Sequence, residues 1–210
     1  MRSGLQTYRS DMQEQDNKAN SIVYGMGISG LSVARFLRDQ GRDFVLADTR
    51  EIPPNARELN SVFKDRLTFY GDFEGLAVEQ FSELIVSPGI ALDDPLVQRA
   101  FAAGVSVIGD IELFYRYATA PIIAITGSNG KSSVVTLVTE ILNASGFTAY
   151  CGGNIGVPAL DLLAKPTPDF YVLEVSSFQL ETVDKFAPKV AALLNVSPDH
   201  MDRYASFEDY

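Results

Sequence analysis

The sequence predicts an α/β protein built from two consecutive parallel-sheet units. Three observations carry this expectation. From Ser21 onward, short apolar runs alternate with longer amphipathic stretches, the pattern of a parallel sheet covered by helices. A glycine-rich turn, Gly25-Met26-Gly27-Ile28-Ser29-Gly30, follows the first apolar run, and a second, Gly127-Ser128-Asn129-Gly130-Lys131-Ser132, follows an apolar run that opens a new series.

In chain order, Ile22-Val23-Tyr24 is the first strand and turns at Gly25. A helix over about Leu31 to Gln40 follows, with Val33, Ala34 and Leu37 on one face and Gly41 as its stop. Phe44 to Ala47 is a second strand leading to Asp48-Thr49-Arg50, after which Pro53-Pro54 interrupts regular structure. Leu84-Ile85-Val86 and Val105 to Ile108 read as further strands, and Asp110 to Tyr117 as a short helix. The chain crosses into the second unit around Ala118 to Pro121. There Ile122 to Ile125 is a strand and Ser132 to Ala144 a helix, with Val134, Leu137, Val138, Ile141 and Leu142 at the spacing of one buried face. Phe170 to Val175 and Val190 to Asn195 complete a thin, three-stranded second sheet. The expected organisation is a polar tail at residues 1–20, a first domain at 21–117 and a second at 118–210.

Composition narrows the function classes. The chain has 46% hydrophobic and 21% charged residues, an ordinary globular balance. Its formal net charge of -10 repels a phosphate backbone and argues against nucleic acid as partner. A nucleotide is not excluded, because helix N-termini and one lysine hold phosphates locally. The single cysteine, Cys151, allows no intramolecular disulfide, which favours a cytoplasmic setting. No apolar run is long enough for a membrane helix or a signal-peptide core. The sequence leaves oligomeric state open.

The second glycine turn carries the sharpest chemistry. A strand ends in glycines bracketing Ser128-Asn129, followed at once by Lys131, Ser132, Ser133 and a helix. Such glycines let backbone N–H groups approach phosphate oxygens, the helix N-terminus adds partial positive charge, and Lys131 adds a full one. Ser132 is the expected magnesium ligand. Ile125 stands where the common phosphate-loop pattern has its first glycine, so the loop is a shortened variant of a P-loop ATPase. Glu174 ends a strand-like run and would bring a carboxylate to the sheet edge where a magnesium ion belongs. The only histidine, His200, follows the last strand at the same edge. In the first unit, the Gly25–Gly30 pattern with Asp48 at the end of the next strand matches a dinucleotide fingerprint, giving a Rossmann-like domain. Alone it would favour an NAD-dependent oxidoreductase, but such an enzyme has no use for a phosphate loop.

Taken together these residues resemble the Mur ligases, ATP-dependent amide-forming enzymes of peptidoglycan precursor synthesis, and within them the D-glutamate-adding branch. The resemblance rests on Ser87-Pro88-Gly89-Ile90, Gly109 to Phe114, Thr126 to Ser133, Gly152 to Gly156, Glu174 to Glu181 and Asp199 to Tyr204. It implies that the first domain holds a uridine nucleotide rather than NAD, with Ile28, Ser29, Asp48, Thr49, Arg50 and Gly89 as contacts. It also implies that residues Gly127 to Ser133 take the phosphates of ATP, with Lys131 on the transferred group. Glu174 matches a first-magnesium carboxylate. Asn154 and His200 match positions near the muramoyl substrate and a second magnesium.

The implied reaction activates the carboxylate of UDP-N-acetylmuramoyl-L-alanine as an acyl phosphate, which the amine of D-glutamate displaces. The family also has a C-terminal domain and a carbamylated lysine, neither of which lies in these residues. A truncated chain without appreciable ligase turnover is therefore expected. A non-catalytic UDP-sugar-binding module is the competing expectation.

Overall fold

The computed structural model describes residues 20–201, 203, 204, 206–208 and 210, so the expected polar tail, Asn20 apart, lies outside the described residues. Residues Ser21–Tyr24 (β1), Phe44–Asp48 (β2), Thr68–Tyr70 (β3), Glu83–Val86 (β4) and Ser106–Gly109 (β5) form one sheet in the order β3-β2-β1-β4-β5. Every pairing in it is parallel. β1, β2 and β4 are buried along their whole length, which is why they read as continuous apolar runs rather than alternating ones. The register sets Tyr24 beside both Ala47 and Val86, so Gly25, Asp48 and Ser87 emerge at one level of the sheet's C-terminal edge.

Helix Ile28–Asp39 (α1) buries Val33, Ala34 and Leu37 as the spacing predicts, and starts one turn earlier than expected, directly from the glycine turn. Four elements between Pro54 and Val105 are absent from the expected order: Ala56–Val62 (α2), the short, half-exposed β3, a single 3-10 turn at Val78–Gln80, and Pro95–Ala102 (α3). α3 carries a legible start signal. Asp94 caps it, Oδ1 accepting from the Leu96 N–H at 2.9 Å, with Pro95 in the first turn.

Helix Asp110–Tyr117 (α4) forms where predicted and is buried from Asp110 to Arg116. One continuous core runs across it, joining Val23, Leu37 and Ile108 of the first unit to Ile122, Leu160 and Tyr171 of the second. Phe114 meets Tyr171 edge-on at 5.1 Å. A buried ionic chain reinforces the seam. The Glu83 carboxylate pairs with Arg42 and, at 3.0 Å, with Arg116, while Glu112 accepts from the backbone N–H groups of Asp184, Lys185 and Phe186 at 3.0–3.1 Å.

The second sheet has four strands, not three. Ala149–Gly153 (β7) joins Ile122–Thr126 (β6), Phe170–Glu174 (β8) and Val190–Leu193 (β9) in the parallel order β7-β8-β6-β9. β7 is hidden in the sequence because Gly152 and Gly153 dilute its strand composition. Helix Lys131–Ala144 (α5) covers this sheet, but its packed face is Val135 and Thr139 flanked by Val134, Val138 and Leu142. Leu137 and Ile141, expected on that face, are each 55% exposed, because each lies two residues, about 200° around the helix, from buried Thr139. A four-residue helix, Ser177–Leu180 (α6), follows β8 with a reciprocal capping box between Ser176 and Gln179.

Candidate nucleotide and substrate cleft

Two cavities meet at the edge where both sheets present their strand C-termini. The larger, about 630 Å³, is walled by Gly25, Ile28, Ser29, Asp48, Thr49, Arg50 and Ser87 to Ile90 from the first unit, and by Gly153 to Gly156 and Gln179 from the second. It is lined by Ile28, Ser29, Asp48, Thr49, Arg50 and Gly89, expected at the uridine nucleotide, and by Asn154, expected near the muramoyl part, whereas His200, expected there with Asn154, lies in the other cavity. The smaller, about 190 Å³, is lined by Gly127, Lys131, Asn154, Ser176, Ser177, Phe178, Asp199, His200 and Tyr210. Asn154 belongs to both.

The glycine turn of the first unit is built for close approach. A Cβ on Gly30 would stand 1.9 Å from the Gly25 carbonyl oxygen, so only glycine lets α1 start against the end of β1. Ser87 ties the neighbouring turn down, its hydroxyl donating to the Gly25 carbonyl at 2.6 Å.

Asp48 is 1% exposed and accepts from the Met26 N–H at 2.6 Å, the Arg50 N–H at 2.9 Å and both Arg50 Nε and Nη2 at 2.7 Å. Burial acts to raise its pKa, but these hydrogen bonds outweigh it and hold the carboxyl below the usual carboxylate range. The bond to Asp48 likewise raises the Arg50 pKa. Four donors fill the acceptor capacity of a carboxylate. Asp48 thus has no lone pair left to receive a ribose hydroxyl. What faces the cavity with donors to offer is the Arg50 guanidinium, half exposed and held in a fixed pose.

At the phosphate loop, the Lys131 ammonium donates to the carbonyls of Gly127, at 2.6 Å, and Ser128, at 3.2 Å. Gly127 adopts φ 140° beside Asn195, where a Cβ would come within 3.0 Å of the Asn195 carbonyl oxygen. The chain after β9 embraces the loop. Asn195 exchanges side-chain hydrogen bonds with the backbone of Asn129 at 2.9 Å, and the Ser128 hydroxyl both donates to the Ser197 carbonyl and accepts from its N–H at 2.9 Å. Ser128 therefore shapes the loop with its side chain, and its backbone N–H is engaged as well, donating to the Asn195 carbonyl at 3.1 Å. Gly130, at φ 81°, passes the chain into α5, whose first turn carries Lys131, Ser132 and Ser133.

Ser132 and Glu174 come together as the sequence predicts. The Ser132 hydroxyl donates to Glu174 Oε2 at 2.7 Å and the Asn154 amide to Oε1 at 2.8 Å, with Glu174 only 3% exposed. Hard oxygen donors of this kind suit magnesium, which takes one or two protein carboxylates and completes its shell with water and phosphate. Among the described residues no three of His, Cys, Asp and Glu gather closely enough to hold a metal by themselves. His200 stands apart from Ser132 and Glu174 in its contacts. It adopts the left-handed region at φ 52° and lies against Phe178, ring centroids 4.7 Å apart, with Nε2 3.7 Å from Asp199.

Sequence reasoning did not assign site roles to Ser87, Ser176, Ser177, Phe178, Gln179 or Tyr210. Of these, Ser176 and Gln179 carried a signal, the Ser-x-x-Gln spacing of a capping box after a strand.

Among the described residues no helix is long and apolar enough to cross a membrane. Comparison with known proteins is consistent along the chain. Residues 19–109 match the model of the Mur ligase MurD-like N-terminal domain, and residues 125–210 that of the Mur ligase middle domain. The UDP-N-acetylmuramoylalanine--D-glutamate ligase of Pseudomonas syringae is 51% identical over 189 residues, covering 90% of this chain and 42% of the relative. That of Nitrosococcus oceani is 46% identical over 192 residues, covering 91% and 42%. The chain thus spans about two fifths of the length of these curated relatives. Among solved structures, the fold is similar to a UDP-N-acetylmuramate:L-alanyl-gamma-D-glutamyl-meso-diaminopimelate ligase from Neisseria, with TM-score 0.54, 17% identity and coverage of 91% of this chain and 64% of that one. It is also similar to the UDP-N-acetylmuramate-alanine ligase of Thermotoga maritima, with TM-score 0.52, 19% identity and coverage of 89% and 43%.

Proposed function

Because this chain belongs to the Mur ligase family, we propose that it forms the uridine-substrate and ATP sites of an enzyme joining D-glutamate to UDP-N-acetylmuramoyl-L-alanine in the cytoplasm. The observation that carries this reading is Asn154, which lines both cavities and donates to Glu174 beside the phosphate loop. A substrate whose nucleotide lies in the larger cavity thereby extends its far end toward the phosphates in the smaller one.

The chemistry asks for this juxtaposition. A carboxylate does not accept an amine at neutral pH, so its oxygen first attacks the γ-phosphorus of ATP and ADP leaves, giving an acyl phosphate. The amine of D-glutamate then adds to the acyl carbon, loses a proton, and phosphate departs as the amide forms. Lys131, at the mouth of the loop, stabilises the charge that develops on the transferred phosphoryl group. Ser132 and Glu174 would hold magnesium, which supplies charge neutralisation across the phosphate oxygens when bound. Arg50, fixed by Asp48, meets the uridine nucleotide, and Asn154 orients the muramoyl end.

Thermal unfolding of the 210-residue chain tests the reading. A ligand that binds only the folded form stabilises it by about 2.7 kcal/mol at a hundred times its Kd. UDP-N-acetylmuramoyl-L-alanine should raise Tm and NAD should not. Protection by NAD, or none by the uridine substrate, would sink the proposal.

A further inference from the structure

We propose that Arg203 is a positioning residue that couples the two cavities, so that filling one alters the affinity of the other. The inference rests on the uridine and ATP reading above. The helix α6 segment sits between the cavities: Ser176, Ser177 and Phe178 line the smaller, and Gln179 lines the larger. Arg203 grips this segment and the first unit at once. Its guanidinium carbon lies 4.7 Å above the Phe178 ring, and its Nη2 donates to Glu181 Oε2 at 2.8 Å. The same fork donates to the carbonyls of Ile90, at 3.0 Å, and Pro88, at 3.4 Å.

These contacts join the walls of two different sites. The Ser87–Ile90 turn bounds the larger cavity, while Phe178 bounds the smaller and carries His200 on its ring. The arginine side chain is 16% exposed and its partner Glu181 20%, so the link is largely shielded from water. The turn does not depend on Arg203 for its shape, because Ser87 donates to the Gly25 carbonyl and the Ile90 N–H to the Ser87 carbonyl, at 2.6 and 2.9 Å. Removing the guanidinium therefore releases the turn from Phe178 while leaving each cavity its own residues. Lysine cannot substitute: a single ammonium on a flexible stem does not stack on a ring and reach two carbonyls and a carboxylate together.

The test is a binding cycle on the 210-residue chain. The Kd of UDP-N-acetylmuramoyl-L-alanine is measured calorimetrically with and without saturating magnesium and a non-hydrolysable ATP analogue, in the parent, Arg203→Met and Arg203→Lys. The parent should show a ratio of about 5-fold or more, the lower range of site–site coupling. Both variants should show a ratio near one, with the affinity for each probe alone changed by less than about 3-fold, well below the coupling lost. Arg203→Lys, which keeps a cation for Glu181, carries the test if Arg203→Met unfolds. A parent ratio near one, or a parent-like ratio in a variant, overturns the inference while leaving the proposed function standing. Failure of the parent to bind the probes overturns both.

Discussion

Replacing Asp110 with asparagine should make the protein more stable at pH 8 and less stable below pH 4. Asp110 is fully buried at the start of α4, where the Gln179 amide donates to its two oxygens at 3.2 and 3.0 Å. Burial pushes its pKa up from 3.8 to about 6, against the opposing pull of Gln179 and of backbone N–H groups. The folded chain therefore keeps this proton to about pH 6, while the unfolded chain releases it near 3.8. Between those values the unfolded state binds fewer protons, so stability from this group is full below pH 3.8 and is lost as pH rises to about 6. At about 1.4 kcal/mol per pH unit, the carboxylate costs about 3 kcal/mol above pH 6. Asparagine removes that cost but keeps only one acceptor for Gln179, a loss of about 1 kcal/mol. The net gain at pH 8 is about 2 kcal/mol, or a Tm rise of about 4–8 °C in a chain of this size. Thermal unfolding of parent and Asp110→Asn across pH 4 to 8 reads the crossover directly. A difference in Tm that stays constant over that span refutes the reasoning.

Gly30→Ala should destabilise by about 3 kcal/mol or more, because the new methyl would overlap a backbone oxygen that has no room to yield, 1.9 Å from its Cβ; a loss under about 1 kcal/mol in denaturant unfolding would contradict the close-packed turn. For Glu174→Gln, calorimetry with an ATP analogue should find that magnesium no longer strengthens binding, whereas an undiminished magnesium effect would remove Glu174 from the metal site.

What the sequence made legible follows from how strongly each element is determined locally. β1, β4 and β6 are dense apolar runs, and α4 shows its bounds through a cluster of large side chains on one short segment. β3 and β7 are strands only because a neighbour pairs with them. Thr68–Tyr70 joins an established edge beyond β2, and the glycines of β7 are needed where a Cβ on Gly153 would stand 2.3 Å from the Glu174 carbonyl oxygen. The site divides the same way. Glycine turns and strand-end carboxylates have fixed chemistry at fixed spacing, so the placement of Gly127 to Ser133, Glu174 and Asp48 is readable, while the pairing of Asp48 with Arg50 that fills its carboxylate is not. The contribution of Arg203 or Ser87 depends on which carbonyl lies opposite across a seam between two sheets, and no local spacing encodes that.

The charges at the phosphate loop show why nucleotide and metal belong together there. The chain carries a net charge of -10, yet among the described residues Lys131 pairs with no carboxylate; its ammonium is held by two backbone carbonyls of its own loop. A phosphate therefore finds the cation already ordered and replaces neutral partners, without breaking an ion pair. Glu174 presents the opposite case. It is buried with two neutral donors, the Ser132 hydroxyl and the Asn154 amide, and among the described residues no cation pairs with it. A buried carboxylate so placed gains most from a positive ion. The loop thus asks for an anion on the Lys131 side and a cation on the Glu174 side, with Ser132 between them. A magnesium–polyphosphate supplies both charges in one ligand, whereas free nucleotide leaves Glu174 facing the phosphates with nothing to separate like charges.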